Sequence, residues 1–190
     1  MRLATFFLAA SLVTAAAPTA LDRERLIVHL QLTESLLATE LAGLSDAQLK
    51  FRPTPNSWSV LDCVEHLAIA EPQYWDGLQK SLKDPIKPEF KSRTTDGEML
   101  WYGIDRTNRQ KTGEARVPNS RYSEVKTPLG EFRKLRATML DFAKTTDEDW
   151  RAHNYYGSDS YQWFLMISTH SMRHILQIRE IKADPKFPAK

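Results

Sequence analysis

Near the carboxyl end of the chain, the run "STHSMRHILQI" (residues 168–178) sets His170 and His174 four residues apart among Ile, Leu and Met. On a helix, residues at that spacing are neighbours on one face, roughly 5–6 Å apart at Cβ. Two imidazoles so placed can grip one metal ion, each through a nitrogen at roughly 2.0–2.1 Å if the ion is zinc. Both histidines share a stripe with Trp163, Ile167, Ile178 and Ile181, so they face inward. Burying an imidazole without a partner is costly. A metal ion meets that demand, and so do hydrogen bonds to carbonyls or carboxylates; spacing alone leaves both readings open. A zinc-protease reading fails, because Ser171 follows His170 where His-Glu-x-x-His needs its general base.

The elements that must position these side chains are helical. Leu26, Leu30, Thr33, Leu37, Leu41 and Leu44 recur at spacings of three and four, with Asp22 a candidate cap and Gly43 a candidate stop. After the proline-bearing turn "FRPTPNS", a second helix opens at Ser57 or Ser59. Ser59 with Asp62 has the spacing of a capping box, and Pro72 should kink the helix further on. The third opens at "KTPLGEF", with Thr127 as cap and Pro128 at the first helical position. Leu129, Phe132, Leu135, Met139 and Phe142 form its stripe. The fourth opens near "GSDSYQW" and runs to about Lys182, with Pro185 beyond. Four such helices predict an all-α fold, a four-helix bundle. Residues 83–123, broken by Pro85, Pro88 and Pro118, form a long crossover between helices two and three. A connection of that length is expected to wall the mouth of a pocket, with "GEMLWYGI" as a short helical turn inside it.

Two motifs in this order, "WSVLDCVEHLAIAE" on helix two and "HSMRHILQI" on helix four, resemble the DinB/YfiT-like family of helical-bundle metalloproteins. "LLATELAGLSDAQLKFRPTPNSWSV" is similar to that family's entry into helix two, and "TDEDW" to its link into helix four. The resemblance implies a three-histidine metal site of His66, His170 and His174. Three neutral nitrogen ligands suit Zn, Ni or Fe and leave coordination positions open, as in catalytic sites. It further implies metal-dependent thiol-group transfer on a small-molecule substrate, with hydrolysis as the variant. A non-catalytic metal-binding or stress-associated bundle, assembling as a homodimer, is the alternative, and a metal-free interaction module is a third.

Around these three, Cys63 is either a further ligand or a small buried hydrophobe. Asp62 either accepts the second ring N–H of His66 or simply caps its helix. Glu71 reads as a surface residue, His29 as a boundary residue of the first stripe, and Trp58 and Trp163 as bundle packing. Tyr74 and Trp101 are candidate pocket walls, and His153, in the link before helix four, either reaches a pocket or faces water. Arg173 should point away from the metal face, into a salt bridge elsewhere.

The first twenty residues, "MRLATFFLAASLVTAAAPTA", carry one basic residue, an apolar run and then small residues. That is the layout of a secretory signal peptide cleaved between Ala15 and Ala20, and the run is too rich in Ala and Thr for a membrane anchor. An exported protein comprising one bundle domain, residues 21–190, is expected, with no stable membrane insertion after cleavage. The 26 basic residues, less Arg2, stand against 24 acidic ones, and no basic cluster advertises nucleic-acid binding. One cysteine, Cys63, permits no internal disulfide, so the fold must stand on packing or on a metal.

Overall fold

The computed structural model describes residues 18–87 and 89–189. Most of the expected signal segment, and Pro88 of the crossover, lie outside them. Among the described residues no helix is long and apolar enough to cross a membrane.

Four long helices carry the fold: α1 (Ala20–Leu41), α3 (Val60–Ser81), α5 (Lys126–Thr145) and α6 (Ser160–Lys182). Two short ones join them, α2 (Asp46–Lys50) and α4 (Asp96–Ile104). The first stripe buries Leu26, Leu30, Thr33, Leu37 and Leu41 as the periodicity predicts. The cap of α1 is Thr19 rather than Asp22, accepting from the Asp22 amide at 3.0 Å. Gly43 follows the helix at φ +69°, a left-handed step that glycine takes without strain. α2 is absent from the periodicity reading because five residues cannot show a period, yet its Ser45–Gln48 capping box was there to be seen. Ser59 and Asp62 do form the expected box at the start of α3, which continues through Pro72 to Ser81. α5 begins before Thr127: Pro128 is its third residue, and the Glu124 carboxylate accepts from the Lys126 and Thr127 amides.

α1 and α3 each pack against both α5 and α6, so α1 lies diagonal to α3 and α5 to α6. α4 covers a further face of α6. Enclosed by α1, α3 and α4, α6 is buried nearly all round, including Phe164, Leu165 and Ile175 outside the predicted stripe. The core forms two apolar clusters, one around Leu30, Trp75, Met139 and Phe164, the other around Leu37, Val64, Phe132 and Ile178. Between them lie buried polar side chains: Thr33, Glu71, Arg136, Ser168 and Ser171.

The link before α6 is a two-by-two-residue hairpin, Asn154–Tyr155 (β1) against Ser158–Asp159 (β2). Its turn residues Tyr156 and Gly157 have φ +52° and +88°, as a type I′ turn demands. The all-α expectation holds apart from this hairpin. Beside it, Arg151 gathers three helix starts. It donates to Asp22 of α1 at 2.9 Å, to Asp96 of α4 at 2.9 Å and to Asp159, the cap of α6, at 3.0 Å. Carboxylates at helix starts offset the positive end of the dipole, and the guanidinium joins them.

Gly103 marks where α4 meets α6. A Cβ there would lie 2.7 Å from the Thr169 carbonyl oxygen, and backbone cannot retreat as a side chain can. Gly103→Val should therefore cost about 1–3 kcal/mol in chemical denaturation. Gly97→Ala, with only Thr95 Oγ1 at 3.8 Å, should be neutral or gain up to about 1 kcal/mol. Equal stability in both variants would show that α4 is not closely docked.

Candidate metal centre

His66 comes from α3, and His170 and His174 from successive turns of α6. Their Nε2 atoms converge: His170 Nε2 lies 3.1 Å from that of His66 and 3.2 Å from that of His174. All three rings are buried. The outer nitrogens explain why the inner ones are free. His66 Nδ1–H donates to the Arg116 carbonyl at 2.7 Å, and His174 Nδ1–H to Gln177 Oε1 at 3.0 Å. With those tautomers, both Nε2 atoms are acceptors facing His170. One proton on His170 Nε2 can satisfy only one of them well, whereas one cation satisfies all three. Ligands about 2.0–2.1 Å from an ion at tetrahedral angles lie about 3.3 Å apart, close to the observed spacings. The donor set fits a divalent transition ion.

Burial lowers the pKa of each ring, His170 and His174 well below 6.5. Next in effect come the neighbouring rings, His66 on His170 and His170 on His174. All three are therefore neutral at pH 7, the state in which imidazole binds metal. Tyr74 packs edge-on to His170 with centroids 5.2 Å apart, and Trp58 stacks on His174 at 5.8 Å. Arg116 lies over the Tyr74 ring at 4.8 Å.

The histidines open onto a cavity of about 540 Å³. One wall is the loop before α3, with Asn56 and Trp58; another is α6, with Gln177 and Glu180. Residues 106–116 of the crossover close the third side, as its length predicted. Tyr74 lines the cavity as expected; Trp101 does not, being 63 % exposed on the outside of α4.

Several expectations need correction. Trp58 packs against the second apolar cluster as expected, but it is also a cavity wall. Glu71 is fully buried, not on the surface: it pairs with Arg136 at 3.0 Å and accepts from Ser171 Oγ. Arg173 is buried and, among the described residues, forms no salt bridge; its guanidinium donates to the carbonyls of Tyr102, Asp105 and Asn108, at and just beyond the end of α4. Asp62 caps α3 and pairs with Arg52, leaving the role once open to it at His66 to the Arg116 carbonyl. Cys63 packs in the apolar core, where burial pushes its thiol far up, and it is not part of the ligand cluster. His29 is half-buried against Ser168 Oγ at 2.7 Å, the boundary role expected of it. His153 is buried, 3.9 Å from Glu148, away from the cavity. Arg116 and Gln177 escaped notice. A carbonyl contribution leaves no trace in residue type, but Gln177, one turn beyond His174, could have been found by helical spacing.

Such a bundle, with three histidine nitrogens meeting between two of its long helices, defines a class of helical proteins with an accessible candidate metal centre. The chain belongs to the DinB superfamily, whose family model matches residues 29–178. It is 28% identical over 148 residues to the uncharacterized protein YuaE of Bacillus subtilis, covering 75% of this chain and 88% of that one. Its fold is similar to that of YfiT from Bacillus subtilis, described as a probable metal-dependent hydrolase with an unusual four-helix bundle topology. The TM-score is 0.58 at 17% identity, over 87% of this chain and 89% of YfiT, a likeness of fold.

Two outcomes follow from this burial. Unfolded, the three histidines take up protons near 6.5; folded and metal-free, they resist until lower pH. Stability is then complete above that value and declines as pH falls below it, because the unfolded state binds more protons. The thermal midpoint of chelator-treated protein should drop between about pH 7 and 5.5, and His170→Leu should flatten the slope. A flat profile in the chelator-treated protein with all three histidines in place would contradict the burial. Separately, Glu71→Leu should cost about 3–5 kcal/mol by stranding the Arg136 charge, and adding Arg136→Met should restore most of it. A double variant as unstable as the single one would rule out this account of the pair.

Proposed function

We propose that this chain is a metal-dependent hydrolase in which His66, His170 and His174 hold one divalent transition ion, Zn, Ni or Fe. The observation that carries the reading is the convergence of three Nε2 atoms, 3.1 and 3.2 Å apart, at the floor of an open cavity. A structural site would be sealed by a fourth protein ligand; here Cys63 lies in the core, and the clustered ligand set holds three histidines. The description of YfiT as a probable metal-dependent hydrolase supports the reaction class.

A bound ion supplies Lewis acidity, polarising the bond to be broken and acidifying water. The remaining work falls to the chain. The Arg116 carbonyl and Gln177 fix the His66 and His174 tautomers, so that a nitrogen lone pair rather than N–H faces the centre. Trp58 and Tyr74 wall the histidines and limit water around them. The Arg116 guanidinium above Tyr74 offers positive charge where negative charge develops on a substrate.

Thiol-group transfer is the competing outcome, and because Cys63 is buried the thiol would have to arrive with the substrate. Export by residues 1–20 belongs to the same proposal. Amino-terminal sequencing of the mature protein tests it, and cleavage after Ala20 would remove the Thr19 cap of α1.

Elemental analysis of the full chain should find about one divalent transition ion per molecule, and His174→Ala should lose most of it. Gln177→Leu should retain the site with affinity weakened about 10–100-fold. Metal-loaded protein should hydrolyse ester or amide substrates in a screen that includes thiol transfer. Metal-free native protein would refute the site; bound metal with no turnover would leave a binding protein.

A further inference from the structure

The charges around the cavity are unbalanced. Arg106, Arg109, Lys111, Arg116 and Arg173 line it, against the carboxylates of Glu180 and Asp184. The whole chain carries a formal charge of only +2, so this excess is a property of the site and not of the composition. Glu180 is already taken, accepting from Arg106 Nε and Nη2 at 2.9 Å each. Arg173 is sealed by three backbone carbonyls, which leave its charge but occupy its donors. Arg116 uses Nε on Gln73 at 3.1 Å and stands over Tyr74, beside His170. Arg109 and Lys111 are exposed on the crossover at the cavity wall.

The histidines add nothing negative to this ring. A centre built from neutral imidazoles leaves a divalent ion its full charge, whereas a carboxylate ligand would offset part of it. Concave walls of one sign focus the field and concentrate counter-ions of the opposite sign. A neutral substrate would gain nothing from this arrangement.

We propose that the cavity selects a substrate bearing a carboxylate or phosphate group, held by Arg109 and Lys111 with Arg116 deeper in, while its reacting bond lies at the three histidines. This rests on the hydrolase reading for the location of the reacting bond, but anion capture depends on the cations alone. Arg109 and Lys111 set specificity and do not touch the reacting atoms.

The test is titration of the full chain, zinc-loaded and zinc-free, with succinate, glycerol phosphate and the neutral succinamide, read by calorimetry and by histidine ring NMR signals. Either dianion should bind saturably in both forms and shift the His66 and His174 signals, and succinamide should not. The tighter of the two dianions identifies the group as carboxylate or phosphate. Arg109→Gln with Lys111→Gln should weaken that binding about tenfold or more, as expected for lost charge-assisted hydrogen bonds, with zinc content unchanged. Arg109→Lys should recover part of it. Dianion binding that is absent, is matched by succinamide, or is unchanged in the double variant would overturn the proposal. Dianion binding to a protein that takes up no zinc would sink the hydrolase reading and leave this one standing.

Discussion

A charge at the centre of a helical bundle must be met by another, and here that requirement organises the rest. Arg136 of α5 is fully enclosed, and its partners are Glu71 of α3 and Ser171 of α6. Glu71 lies just over one helical turn beyond His66, and Ser171 directly follows His170. Sliding α3 against α6 would part Glu71 from Ser171 and from Arg136, exposing a buried ion to an apolar surrounding on either side. Apolar contacts alone are permissive about such slippage, since one Leu or Ile substitutes for another at small cost. The polar layer between the two apolar clusters therefore fixes the height at which the histidine-bearing turns face each other.

The crossover serves the same end from outside. A bundle helix ordinarily shows one face to solvent, but α6 carries two inward histidines and a buried arginine on different sides. α4 closes that face, and the carbonyls at its end receive Arg173. The following stretch then delivers the Arg116 carbonyl to His66 and wall residues to the cavity. Removing the crossover would unmake the tautomer of His66 as well as the shape of the cavity.

Much of this could be read from residue order. The four long helices, the Ser59 cap and the inward histidine pair follow from periodicity and capping chemistry, because each is a local property. The meeting of His66 with that pair needed family resemblance, since distance along the chain says nothing about which helices are neighbours. Glu71 was misread because a lone carboxylate on an otherwise apolar helix is mostly solvated, and its partner Arg136 lies 65 residues away. Thr127 lost its capping role to Glu124, whose carboxylate reaches two amides where a hydroxyl reaches one. Arg173 defeated the charge-pairing rule because its acceptors are backbone oxygens, invisible in a string of side chains.

The Arg151 hub bears on the order of assembly. Its partners lie 8, 55 and 129 residues away along the chain, at the starts of α6, α4 and α1. Loop-closure entropy rises with each separation and must be met before the contact repays it. The α6 start is captured cheaply, the α4 start next, and the α1 start last. During synthesis, then, the leading end of the helix made first is fastened only once the stretch from Ala143 to Arg151 has been made, since Arg23 of α1 donates to the Ala143 and Thr146 carbonyls and Asp22 meets Arg151.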